Sequence, residues 1–180
     1  SMGRGLIGFA DSLNNLSPDL IIVLGDRFES LPAVSAALIA RIPVAHIHGG
    51  EITEGAFDEA IRHSITKMSH LHFVATSAYK KRVIQLGEQP NRVFNVGGMG
   101  VDTIKKMDFL QKNELSKALG FKFKKQNLLI TYHPVTMEND SSESQIKSLL
   151  NALSKLKNTL LIFTLPNSDS NNRIISEKIN

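Results

Sequence analysis

The 180-residue chain is 42% hydrophobic and contains no cysteine. That is enough apolar matter for one core or two small ones, and it excludes a disulfide scaffold and a thiolate metal site while fitting a reducing compartment. The net charge of +4 comes from lysines beyond residue 100, such as Lys105, Lys106, Lys117, Lys122, Lys124 and Lys125, with no Trp and two Tyr; solvated helix faces account for that better than nucleic-acid binding, and no apolar run reaches the ~20 residues that span a bilayer.

Leu6 to Leu16 reads as a helix stopped by Ser17-Pro18. Leu20-Ile21-Ile22-Val23-Leu24 is a continuous apolar run of strand length, which suits a parallel strand buried on both faces. It ends in Gly25-Asp26-Arg27. Phe28 to Ala40 has helical spacing, with Pro32 tolerable only in the first turn. Val44 to His48 is the next strand and breaks at Gly49-Gly50-Glu51. Strand, helix and strand in about 30 residues make a βαβ unit.

The alternation continues with a helix at Asp58–Ser69, a strand at Leu71–Ala75, a helix at Ser77–Leu86 and a strand at Arg92–Val96. Gly97, Gly98 and Gly100 suit a hinge better than a dinucleotide fingerprint. A bridging helix is expected over Gly100–Lys112 and a short one over Glu114–Leu119. Then come a strand at Asn127–Tyr132 ending in His133-Pro134, a helix at Ser144–Leu156, a strand at Leu160–Thr164 and a last helix at Asp169–Asn180. This order predicts an α/β chain with two parallel sheets, one in residues 1–98 and one in 99–180. Neither half offers the five or so strands common in open α/β sheets, so the chain reads as the internal part of a longer protein.

Two neighbouring strands that both end in small and ionisable residues describe a ligand site at the carboxyl edge of a parallel sheet. Asp26 there can bind a substrate hydroxyl, act as a base or cap the following helix. Arg27 can hold a phosphate or carboxylate, or pair with Glu29, Asp58 or Glu59. His46 and His48 alternate along a strand, so they are expected to share a face as a hydrogen-bonded pair. A third ligand at a recognisable spacing is lacking, which speaks against zinc. Gly49-Gly50 permits either close approach to a ligand or a structural turn. Asp58 and Arg62 stand at i,i+4, the spacing of an ordinary intrahelical pair. Yet Asp58 opens the helix that follows the glycine loop, which delivers it to the same edge as Asp26 and His48. His133 is a structural strand end or a functional group at a second sheet edge.

Together, Gly25-Asp26-Arg27-Phe28-Glu29, the run Ile42 to Glu51, the run Phe57 to Lys67 and His133-Pro134-Val135-Thr136 resemble the UDP-N-acetylglucosamine 2-epimerase family. The hydrolysing branch, which feeds sialic and related nonulosonic acid synthesis, is the nearest match. The resemblance implies a glycosyltransferase-B-like fold of two Rossmann-like lobes, 1–98 and 99–180, each incomplete here, with a UDP-sugar held between them. It implies catalytic roles for Asp26, Asp58 and His133, and substrate binding by Arg27, His48, Gly49, Gly50, Glu51 and Arg62. His48 stands where the family often has a glutamate, which leaves the acid/base assignment open; Glu51, three residues on, is the candidate replacement. The implied reaction eliminates UDP to a 2-acetamidoglycal, and water then adds with inversion at C2. The alternatives are a non-hydrolysing epimerase that returns UDP-sugar, a glycosyltransferase of the same fold, and a non-catalytic UDP-sugar-binding fragment. The resemblance further implies a cytoplasmic homo-oligomer with no metal, no redox cofactor, no nucleic acid and no membrane partner.

Overall fold

The structure is a computed structural model that describes residues 2–54, 56–133 and 142–165. The chain divides into two compact units, Ser1–Met107 and Asp108–Asn180. The expected helix at Asp169–Asn180 lies outside the described residues.

In the first unit, α1 (Met2–Leu16) precedes three strand–helix steps: β1 (Ile21–Leu24), α2 (Ser30–Ile39), β2 (Val44–Ile47), α3 (Asp58–Lys67), β3 (Leu71–Val74), α4 (Ser77–Gln85) and β4 (Val93–Asn95). Then comes α5 (Met99–Lys106), which the sequence reading places in the second lobe. The strands form one parallel sheet in the order β1-β2-β3-β4. Pro32 falls in the first turn of α2, where its missing N–H breaks no helical bond. Thr76 caps α4 by accepting from the Tyr79 amide at 3.2 Å.

Register assigns the faces. Val23, His46, His72 and Val93 lie side by side across the four strands. They point into the core, where Leu13, Val34, Ala37, Val44 and Ile65 pack in one cluster and Val74, Val83 and Val93 in another. The opposite face carries the row Leu24, Ile47, Phe73 and Phe94, with the two phenylalanine rings stacked at 5.5 Å. Ile22 is 66% exposed and Leu24 53%. The expectation that the first strand is buried on both faces is therefore corrected. Its continuous apolar run records a sheet built for two covers, and only one is present among the described residues.

The second unit holds α6 (Lys112–Leu119), β5 (Gln126–Ile130), α7 (Ser142–Leu153) and β6 (Thr159–Phe163), with β5 and β6 parallel. The expected continuous helix to Lys112 is also corrected, because α5 stops at Lys106. The Gln111 amide donates to the Glu114 carboxylate at 2.9 Å, so Gln111 begins a new helix and cannot be the interior of the old one. Gly120 closes α6 with φ +74°, a left-handed position that glycine takes without strain.

Candidate active site at the sheet edge

The carboxyl ends of β1 and β2 meet the amino end of α3. Gly25 turns the chain out of β1 with φ +72° and presents Asp26. Asp26 does not cap α2, which begins four residues later. Its carboxylate accepts from Nη2 of Arg62 instead. Arg62 reaches no residue of its own helix, so the expected Asp58–Arg62 pair is replaced. Nη1 donates to the Glu51 carbonyl at 2.8 Å and Nη2 to the Thr53 hydroxyl at 2.8 Å. With its side chain 6% exposed, Arg62 is a buried cation neutralised by Asp26, which is itself 21% exposed. Such a pair holds geometry tightly, because removing either partner strands the other charge.

The two strand histidines separate, contrary to the expected pairing. β2 ends at Ile47, and His48 takes φ +65°, which breaks the strand alternation. His46 stays inside the core. Its Nε2 lies 2.8 Å from the Gly25 carbonyl and its Nδ1 3.2 Å from the Thr66 hydroxyl. A carbonyl only accepts, so Nε2 carries the proton and Nδ1 accepts from Thr66. Burial pushes the His46 imidazole down to about 4, against the opposing pull of the Gly25 carbonyl, so it is neutral at pH 7. The ring thereby fixes the turn that carries Asp26. His48 turns outward, and its Nδ1 lies 2.7 Å from the Glu51 carboxylate.

The glycine pair serves a structural turn. A Cβ on Gly49 would sit 3.0 Å from His46 Nδ1 and 3.1 Å from the Thr66 hydroxyl. One on Gly50, at φ +79°, would lie 2.6 Å from the Tyr79 carbonyl oxygen. The Gly50 carbonyl accepts from Arg82 on α4. The close approach is thus to the protein's own β2, α3 and α4.

The structure brings Asp26, His48, Glu51 and Arg62 to one edge, with Asp58 in the first turn of α3 at the same edge. Arg27 is more exposed, sits 3.5 Å from Glu29 and lies over the Phe28 ring. His133, in the second unit, is exposed just beyond β5. Sequence reasoning missed Thr53, Thr66 and Arg82. Thr66 had a readable signal: Arg62, Thr66 and Ser69 make a polar stripe at i, i+4 and i+7 beside Ile65, and all four are buried. Among the described residues no cluster suited to a metal ion occurs, and no helix is long and apolar enough to cross a membrane.

The family model for UDP-N-acetylglucosamine 2-epimerase matches residues 1–180. The chain belongs to the UDP-N-acetylglucosamine 2-epimerase family. It is similar to the Campylobacter jejuni GDP/UDP-N,N'-diacetylbacillosamine 2-epimerase (hydrolyzing), with 49% identity over 98% of this chain and 46% of that protein. It is also similar to an Escherichia coli polysialic acid biosynthesis protein, with 44% identity over 99% of this chain and 46% of that one. The chain therefore spans about half the length of the curated relatives it matches. Among solved structures, the Methanocaldococcus jannaschii UDP-GlcNAc 2-epimerase in complex with UDP-GlcNAc and UDP superposes with a TM-score of 0.81 at 23% identity. That match covers 98% of this chain and 51% of that one. The fold is glycosyltransferase-B-like α/β with parallel sheets.

Proposed function

We propose that the whole protein is a hydrolysing UDP-N-acetylhexosamine 2-epimerase. The observation that carries this reading is the convergence of Asp26, Arg62, His48 and Glu51 on one sheet edge, beside the first turn of the helix that Asp58 opens. The similarity to a relative whose printed name includes "hydrolyzing" supports water as the final acceptor.

The chemistry demands such an edge. The C2 proton of an N-acetylhexosamine is not acidic, so its removal must be coupled to departure of the anomeric UDP. The C2–H electron pair forms the C1=C2 bond, and the C1–O pair leaves on the diphosphate. Water then adds its oxygen to C1 and a proton reaches C2 from the opposite face, giving the free 2-epimer. Proton transfer of this kind is worth ~10²–10⁴-fold per group. In this reading Asp26 and Asp58 serve the proton transfers or hold the sugar. Arg27 and the loop from His48 to Glu51 bind the substrate, and Arg62 sets the place of Asp26. His133 assists departure of the diphosphate. The steps are redox-neutral, and the protein works in the cytoplasm as a homo-oligomer. The relative named for polysialic acid biosynthesis supports placing the product before sialic or related nonulosonic acids.

Incubation of the full-length protein with UDP-N-acetylglucosamine and with a UDP-2,4-diacetamido-trideoxyhexose, read by NMR, tests this. Free 2-epimer and UDP are expected. A UDP-linked 2-epimer would instead assign the non-hydrolysing reaction, and no turnover of either sugar would leave a binding function.

A further inference from the structure

We infer that His48 is the base that takes the C2 proton, with Glu51 as the residue that positions it. The inference rests on the epimerase reading above and goes beyond it by moving His48 from substrate binding to catalysis.

Three observations carry it. The first is backbone placement: φ +65° lifts His48 out of the strand alternation, so its ring leaves the core side on which His46 lies. A non-glycine residue held left-handed is uncommon and marks a position whose side chain direction is imposed by its surroundings. Here the amide is fixed by a 2.9 Å bond to the Phe73 carbonyl, and Gly50, two residues on, is seated against α4.

The second is the tautomer. Glu51 Oε1 lies 2.7 Å from Nδ1. An ionised carboxylate only accepts, so Nδ1 carries the proton and Nε2 carries a lone pair. Among the described residues Nε2 has no hydrogen-bond partner, and it is not one of the buried unpaired atoms, so the base faces outward. The side chain is 25% exposed and Glu51 30%. An imidazole oriented by a carboxylate, with its other nitrogen open to the reacting group, is the arrangement of a general base.

The third is competition at the same edge. The charged groups there include Asp26 and Arg27 after β1, Glu51 in the loop, Asp58 and Arg62 on α3, and Arg82 on α4. Arg62 neutralises Asp26, and Arg82 is engaged with the Gly50 carbonyl. The Glu51 carbonyl is held by Arg62 while its carboxylate is spent on His48, so Glu51 is fixed at both ends and acts through the ring.

In the step, Nε2 of the neutral imidazole takes the C2 proton, the C–H pair becomes the C1=C2 bond, and UDP leaves with the C1–O pair. The imidazolium, stabilised by Glu51, returns its proton to solvent before the next turnover. The protonation of C2 from the other face is left to a second group.

The test uses full-length protein, UDP release as readout and, as substrate, whichever of UDP-N-acetylglucosamine and the UDP-2,4-diacetamido-trideoxyhexose the wild type turns over. His48→Asn is the variant of choice, because asparagine tolerates a left-handed backbone and carries no titrating base. A folded His48→Asn protein is expected to release UDP ~10²-fold more slowly or worse. Glu51→Gln is expected to lower kcat about tenfold at unchanged KM and to move the acidic limb of the pH–kcat profile. UDP release by His48→Asn within threefold of wild type overturns the assignment. If His48→Asn fails to fold, Glu51→Gln decides, and an unchanged kcat with an unmoved limb overturns it. Wild-type protein that turns over no UDP-hexosamine would overturn the epimerase reading itself.

Discussion

The two sheets end their strands in similar residues but treat them differently. At the edge of the first sheet, Asp26 is gripped by a buried arginine, the turn before it by His46, and the loop beside it by α4. At the edge of the second, His133 is exposed, and only Ile146 and Thr159 are buried among that unit's described side chains. The first edge is built by long-range packing, whereas the second offers a side chain at the end of a strand. Placing a reactive group with precision takes a supporting shell, and among the described residues only the first unit displays one.

The largest effect expected from this contrast is Gly50→Ala. The new methyl would meet the Tyr79 carbonyl, which belongs to helix backbone and cannot swing away, at a positive φ. A loss of roughly 4 kcal/mol is expected from combined overpacking and backbone strain, seen as a shifted urea midpoint at unchanged m. A midpoint within the error of wild type would show that the loop is not seated on α4.

Acid comes next. His46 is held at about 4 in the fold, against 6.5 in an unfolded chain. Because the folded value is the lower one, the fold is at full strength above about 6.5 and loses stability as pH falls from there toward about 4, by on the order of 3 kcal/mol. Burial also lowers His72, which adds in the same direction, against the pull of Glu88. Hydrogen exchange at pH 5 and pH 7.5 should show β1 to β4 losing protection in acid. Equal loss in β5 and β6 would remove the contrast between the units.

Asp26→Asn and Asp58→Asn are each expected to reduce kcat of the full-length protein ~10²-fold, about 2.7 kcal/mol in barrier, with UDP binding nearly unchanged. Near-wild-type turnover in either would return that residue to a structural role. The smallest effect belongs to His133→Asn. A drop in kcat/KM of about tenfold is expected, with thermal stability shifted by less than about 0.5 kcal/mol, as for exposed sites. Early melting with normal turnover of the folded fraction would make His133 a structural strand end and erase the difference between the two edges.

Much of the first unit was legible because a parallel α/β unit writes itself locally: apolar runs of strand length, helical spacing between them and glycines at the turns. Asp26, Asp58 and the glycine loop could be placed at one edge on that ground alone. The pairings could not. Spacing pairs Arg62 with Asp58, whereas the fold pairs it with Asp26, because a buried guanidinium satisfies its donors wherever the fold brings acceptors. A period-two rule joins His46 and His48, and it lapses once the strand ends at Ile47. Sequence over-extends the helix past Lys106 because Gln111 carries no strong start signal of its own, and the Glu114 carboxylate that reaches back to it is visible only in the fold.

The seat of Gly50 on α4 has one more implication. The carbonyl of that glycine is tied to Arg82, and its α-carbon rests over the Tyr79 carbonyl. A helix to which the proposal assigns no reacting group therefore sets the height of the loop that carries His48 and Glu51. Turnover becomes tunable from a distance: substitutions along α4 that tilt the helix by a fraction of an ångström would raise or lower His48 and Glu51 together. Variants with altered rate and intact reacting groups should thus map to α4, and a screen for improved catalysts would do well to begin there.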